Sequence, residues 1–186
     1  YNPQPRISIA NALTLGATSS NEIVDFELTR IIDLDTFRND LSKALPAGIP
    51  IYDVVLLDAK AQSASQLLET AEYLITVSCN SETTPSQWLS WVNAIEAKEE
   101  IWVQYKTKKG KIKNVNLRER LFELEFIETV PVELNSSSAA NLRYVGACRN
   151  DGTMLRAEQI PFMLELVTKT EFELLHIHRS KLILTV

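Results

Sequence analysis

Apolar and polar positions change period several times along the chain, and each change marks an element. Arg6 to Leu13 reads as a strand closed by Gly16 and fed by a rigid Asn2-Pro3-Gln4-Pro5 turn. Ile23 to Arg30 alternates with period two: Val24, Phe26 and Leu28 face one way, Asp25, Glu27 and Thr29 the other. That is a half-buried strand. From Asp33 the period lengthens, and Leu34, Phe37, Leu41 and Ala44 fall on one helical face. Asp33 or Asp35 can cap this helix, and Pro46-Ala-Gly48 ends it. Ile49 to Leu57 then reads as a buried strand. The order strand, strand, helix, strand is the last two-thirds of a βαββαβ unit, with its first strand and helix missing. A complete small α+β layer with its own topology is the alternative.

Ser63 to Thr70 predicts a short helical turn that hands over to a second unit, whose first strand is Glu72 to Cys79. Thr84-Pro-Ser-Gln87 has the pattern of a capping box with Pro at the first helical position. Trp88, Trp91, Val92 and Ile95 then share one face of a helix running to about Lys98. Ile101–Tyr105 and Ile112–Leu117 form a hairpin in which Gly110 supplies the positive φ of a tight tip. Strands from Leu121 to Thr129 and from Leu142 to Cys148 flank a polar loop around Asn135 to Ser138. Pro161 is tolerated only in a first helical turn, so the last helix starts near Glu158 and runs to Val167. Strands Phe172–Ile177 and Ser180–Thr185 close the chain. The expectation is an α+β fold of two ferredoxin-like units with mainly antiparallel sheets. Residues 1–62 form the first, truncated at its N-terminus, and residues 63–186 the second, with an extra hairpin.

Composition narrows the class without naming a reaction. With 186 residues, 45% hydrophobic and 23% charged, the chain is an ordinary globular mixture. No apolar run approaches the roughly 20 residues that span a bilayer, so no membrane partner is expected. Cys79 and Cys148 stand alone, without disulfide or Cys-x-x-Cys spacing, which fits a cytoplasmic location.

Charge is distributed unevenly. Lys106, Lys108, Lys109, Lys111, Lys113, Arg118 and Arg120 lie between Trp102 and Arg120 with the single acid Glu119. Seven positive charges minus one give +6 here, and the formal net charge of −5 leaves −11 elsewhere. These seven residues are the nucleic-acid-binding candidates, with Trp102 and Tyr105 as stacking faces. The competing reading is a solvated hairpin tip, where Lys discourages edge-to-edge pairing. A Lys-rich, Arg-poor tip suits that reading, because specific phosphate recognition favours the Arg fork.

His176 and His178, two apart on a strand, share a face that can meet a metal, but no third ligand follows at ligand-like spacing. A polar sheet face is the simpler account, and no metal site is assigned. Nucleophile elbows, phosphate-binding glycine loops, His-Glu-x-x-His and a Cys-x-x-x-Cys-x-x-Cys cluster motif are all missing from the sequence. No catalytic residues are assigned either.

Asn2-Pro3-x-Pro5-Arg6-Ile7-Ser8, the strand Val24-Asp-Phe-Glu-Leu28, Leu45-Pro46-x-Gly48-Ile49 and Glu72-Tyr73 occur in an order that resembles a bacterial family, the radical-SAM-linked domain of unknown function. Arg179 resembles an Arg in that family's closing strand. Leu155-Arg156-Ala157-Glu158 resembles its Leu-Arg-Pro-Glu helix start with Ala157 in place of Pro, and an Arg at such a start can pair with a carboxylate across the sheet. Tyr1 and Gln4 depart from the family's Phe and His. In the family a strand and a long helix precede this segment, so the resemblance implies a piece of a longer protein. It also implies a non-catalytic accessory part of a radical SAM iron–sulfur protein. The 4Fe–4S cluster, S-adenosyl-methionine and cobalamin would then belong to the parent protein, with none bound by this chain. The expected partners are the radical SAM core, RNA, and a second copy that completes the truncated sheet. Two functions compete: substrate recognition, with RNA favoured by analogy with other ferredoxin-like layers, or docking onto the radical SAM core with no nucleic-acid contact.

Overall fold

A computed structural model describes residues 6–106, 110–131 and 138–185. Its centre is a five-stranded sheet built on β4 (Leu68–Cys79), whose alternation sends Ile75, Val77 and Cys79 into the core and Leu74 and Thr76 to the other face. β8 (Ser138–Ala147) pairs antiparallel with β4 on one side, and β9 (Phe172–Leu184) does so on the other. β7 (Leu121–Val130) adds beyond β8. Numbered within the unit, these strands stand 4-1-3-2, all antiparallel, the ferredoxin-like order.

Two helices cover one face. α3 (Pro85–Glu96) is capped by Thr84, which accepts from the Gln87 amide, and Pro85 occupies the first turn. It buries Trp88, Val92 and Ile95. α4 (Gln159–Thr168) buries Ile160, Met163 and Leu164, with Pro161 in its first turn as the sequence requires. Trp88 is fully buried and packs edge-on to Trp91 at 5.1 Å between ring centres, with Phe172 at 5.7 Å. Between α3 and β7 the chain makes the expected hairpin of β5 (Trp102–Lys106) and β6 (Ile112–Asn116), where Gly110 has φ 78°, followed by a 3₁₀ turn at Arg118–Arg120.

Upstream of this unit the structure is sparser. β1 (Ile7–Ile9) and β3 (Val24–Phe26) pair as a two-stranded antiparallel ribbon, both shorter than the alternation predicts. β2 (Thr18–Ser19), between them, runs parallel to β9 and adds a fifth strand to the main sheet. α1 (Leu34–Ala44) starts at the expected cap, with Asp33 accepting from the Thr36 amide, yet none of its residues is buried. The short α2 (Ala64–Leu67) has a full capping box between Ser63 and Gln66.

Two expectations need correction. Ile49 to Leu57 forms no strand: no neighbour among the described residues pairs with it, and Arg38 donates to the Ile51 and Tyr52 carbonyls instead. The closing strands are one, because β9 runs unbroken through His178-Arg179-Ser180. The turn at residues 2–5, the tip at 107–109 and the loop at 132–137 lie outside the described residues.

Candidate functional site

The hairpin register decides where its cations go. Residues directly opposite in an antiparallel pair share a face, so Trp102, Gln104 and Lys106 share one with Asn116, Asn114 and Ile112, of which only Asn116 is buried. Val103 and Tyr105 face the other way with Val115 and Lys113, and Val103 and Val115 join the core. Lys106 and Lys113 are both exposed but on opposite faces. Lys111 is exposed next to the tip, whereas Lys108 and Lys109 lie outside the described residues. Arg118 is turned to backbone work, donating to the Leu121 carbonyl at 2.7 Å and the Glu96 carbonyl at 3.4 Å. Arg120 donates to the Met154 carbonyl at 2.9 Å. The seven candidates therefore do not make one basic surface.

The open face of the main sheet is acidic. Arg143 on β8 binds Glu72 at 2.6 Å, Glu123 at 2.7 Å and Glu125 at 3.3 Å, so three carboxylates surround one guanidinium. Their hydrogen bonds hold the Arg143 pKa above its ordinary value. Glu128 reaches the Asn141 carboxamide on the same face. His176 and His178 flank this face and go to hydroxyls: Thr18 Oγ1 lies 3.2 Å from His176 Nε2 and 2.8 Å from His178 Nδ1, and Ser20 Oγ lies 2.7 Å from His178 Nε2. Among the described residues no group of three or more His, Cys, Asp or Glu is placed to hold a metal ion. Cys79 and Cys148 are both buried, in two different apolar clusters, and burial pushes the Cys148 thiol up.

Arg179 is the polar centre that the sequence left as one resemblance among several. Its side chain is only 1% exposed. Nε donates to Glu22 Oε1 at 2.9 Å and Nη2 to Glu22 Oε2 at 2.5 Å, a two-pronged pair, while Nη1 and Nη2 reach the Asn11 side chain and carbonyl, both at 2.9 Å. Burial acts to lower this guanidinium's pKa, and the Glu22 carboxylate together with the Tyr73 hydroxyl outweighs it, leaving the value raised. Arg179 thus clamps residues 11–22 onto the sheet edge. Arg156, the other arginine noted for a carboxylate partner, is exposed and has no ion pair among the described residues.

The upstream ribbon presents an apolar face. Ile7 stands opposite Phe26, and Ile9 opposite Val24, so all four share one ribbon face, each between 37% and 56% exposed. Phe26 meets Phe37 of α1 edge-on at 5.5 Å. Leu28, Ile31, Leu34, Ile49, Tyr52, Val55, Leu56 and Leu57 are exposed as well. A fold that buries its second unit this thoroughly leaves fourteen large apolar side chains exposed among the described residues up to Leu57.

The chain belongs to a family described as an uncharacterized protein conserved in bacteria (DUF2344), whose model matches residues 1–157. That description names no reaction and no partner, so the radical SAM link rests on the sequence resemblance alone. No curated protein matches the chain. Among solved structures, a chain from "Crystal Structure of a Cbf5-Nop10-Gar1 Complex" is similar over 64% of this chain and 32% of its own length, at 14% identity and a TM-score of 0.42. That likeness is too slight to carry an argument. No helix among the described residues is long and apolar enough to cross a membrane.

Proposed function

We propose that this member of an uncharacterized bacterial family is a non-catalytic docking module that holds a partner protein on the apolar surface of its first 57 residues. The observation that carries this reading is the ribbon face of Ile7, Ile9, Val24 and Phe26, exposed on a two-stranded ribbon that is marginal by itself. Contiguous exposed apolar patches beyond a few hundred Å² are uncommon on monomers and mark interaction sites. The resemblance noted in the sequence makes a radical SAM iron–sulfur protein the partner to test first. RNA recognition draws its support from the exposed hairpin lysines, but the open sheet face, with Glu72, Glu123 and Glu125 around Arg143, repels a phosphate backbone.

The test is equilibrium binding of the chain to the radical SAM protein, by calorimetry or gel filtration. Ile9→Ser with Val24→Ser should weaken the complex at least tenfold while far-UV circular dichroism and the Trp88 environment stay unchanged. Lys106→Ala with Lys113→Ala should leave affinity as it was. An unaffected complex in the ribbon variant, or RNA binding that the lysine variant abolishes, would favour recognition over docking.

A further inference from the structure

A cavity of about 450 Å³ opens beside the outer face of the β5–β6 hairpin. Its walls come from three places far apart in sequence: Trp102 and Asn114 on the hairpin, Glu119 and Arg120 on the 3₁₀ turn, and Arg149 and Thr153 around the turn after β8. The volume falls within the roughly 300–1,000 Å³ of small-molecule sites.

The wall chemistry is specific. Trp102 is 56% exposed, and its indole is anchored by Nε1 donating to Glu100 Oε2 at 2.8 Å. An aromatic ring fixed by its N–H, with half its surface in water, is a stacking platform for a flat ligand. Asn114 projects from the same hairpin face and bonds no described residue, so its carboxamide offers one donor side and one acceptor side. Arg120 spends one N–H on the Met154 carbonyl, and no described carboxylate pairs with it. Arg149 is already bound to Glu69, and Glu119 accepts from Asn116 Nδ2 at 3.0 Å. Glu119 keeps its charge beside this neutral partner, so the wall carries one carboxylate and one guanidinium, Arg120, that no carboxylate binds among the described residues; its fork can take two oxygens of a phosphate. Lys106, on the same hairpin face, extends the positive surface.

A flat ring, a carboxamide and a guanidinium within one cavity suit the face of a base, its edge and a phosphate. We propose that this cavity binds a nucleotide unit, with the base on Trp102, the base edge at Asn114 and the phosphate at Arg120. Neither the docking surface nor the hairpin tip takes part, so the inference stands whether or not the docking reading does. The same chemistry is presented by a free mononucleotide and by one residue of a single-stranded RNA.

Adenosine 5′-monophosphate, inorganic phosphate and a single-stranded RNA decamer are titrated by calorimetry against the full chain. The mononucleotide should bind, and phosphate alone should bind more weakly. Trp102→Ala should weaken the mononucleotide about tenfold, Trp102→Phe should restore most of the loss, and Asn114→Ala should weaken it several-fold. Both positions are exposed, so thermal unfolding should hardly move and serves as the folding control. A decamer that binds a hundredfold more tightly, with an affinity that falls as salt rises, identifies a strand as the ligand. Equal affinities identify the free nucleotide. If neither probe binds at millimolar concentration, or if Trp102→Ala leaves both affinities unchanged, the proposal is overturned.

Discussion

Glu22→Ala tests the clamp that fastens the upstream segment to the sheet. Arg179 is 1% exposed, and Glu22, at 29%, is the only carboxylate bound to it among the described residues. The substitution removes two charge-assisted hydrogen bonds, from Nε and Nη2, and leaves a buried cation with only the neutral oxygens of Asn11 and the nearby Tyr73 hydroxyl. Breaking a fully buried pair from one side costs about 3–5 kcal/mol. Water already reaches Glu22, so the expected cost is lower, about 2–3 kcal/mol. Every 1.4 kcal/mol is a factor of ten, so if the segment opens locally, exchange of the Ser20 amide, which donates to the Arg179 carbonyl, should accelerate about 30- to 140-fold. If the segment opens only with the rest of the protein, the same loss appears as a Tm about 5–10 °C lower. The double variant Glu22→Ala, Arg179→Met removes the stranded charge and should recover at least about 1 kcal/mol, because an apolar side chain of similar volume tolerates burial. Exchange that changes less than threefold with no change in Tm, or a double variant no better than the single one, would refute the reasoning.

Gly146→Ala should destabilise the second unit by about 1–3 kcal/mol in urea unfolding, because a Cβ there would stand 3.0 Å from both Cβ and Cδ2 of Leu155 and 3.3 Å from the Arg120 carbonyl oxygen. The pKa of Asp33 is lowered by the Thr36 amide and hydroxyl that it accepts from. A carboxyl whose folded value lies below its unfolded value of about 3.9 gives its full contribution above that value and loses it as pH falls through the folded one. The Thr36 amide should therefore lose exchange protection below about pH 4 while α3 keeps its own, and Asp33→Asn should abolish that pH dependence.

Local chemistry made much of the second unit legible. Pro85 and Pro161 admit few backbone conformations, Gly110 admits the positive φ that other residues avoid, and each stands where the sequence puts it. The failures occur where long-range pairing decides. Ile49–Leu57 has the apolar content of a buried strand, but a strand exists only where a neighbour supplies its hydrogen bonds, and Arg38 takes two of its carbonyls instead. The run His176-Ile-His178-Arg179-Ser180 looks too polar for the middle of a strand. It remains strand because both histidines face the polar side and Arg179 is neutralised by Glu22, 157 residues away. The two-residue β2 is too short to carry any period and exists because it follows the edge of β9. At the candidate sites, charge counting found the hairpin cations, and strand alternation already implied that they cannot all share one face, as Lys106 and Lys113 show. The cavity joins Trp102 to Thr153, a convergence that no local spacing reveals.

The apolar segment and the cavity meet at one turn. Asn150 follows Arg149 of the cavity wall, and its carboxamide donates to the Ala10 carbonyl at 2.9 Å and the Ser65 carbonyl at 2.7 Å. Ala10 is buried, follows the ribbon strand β1, and precedes Asn11 of the Arg179 clamp. Asp151 caps the turn by accepting from the Thr153 amide, and Arg149 returns to the Thr153 carbonyl through its own backbone N–H. The turn is thus tied on one side to the strand that carries the proposed docking face and on the other to the cavity wall. Hydrogen bonds of this kind fix position without requiring apolar burial, and this suits a segment with few buried side chains of its own. The ribbon is held by polar contacts at its ends, at Asn150 and Arg179, and its apolar face stays uncovered between them. A segment fastened through its backbone and presented through its side chains has the arrangement that docking requires, because the partner gains the apolar burial that the fold itself has not used.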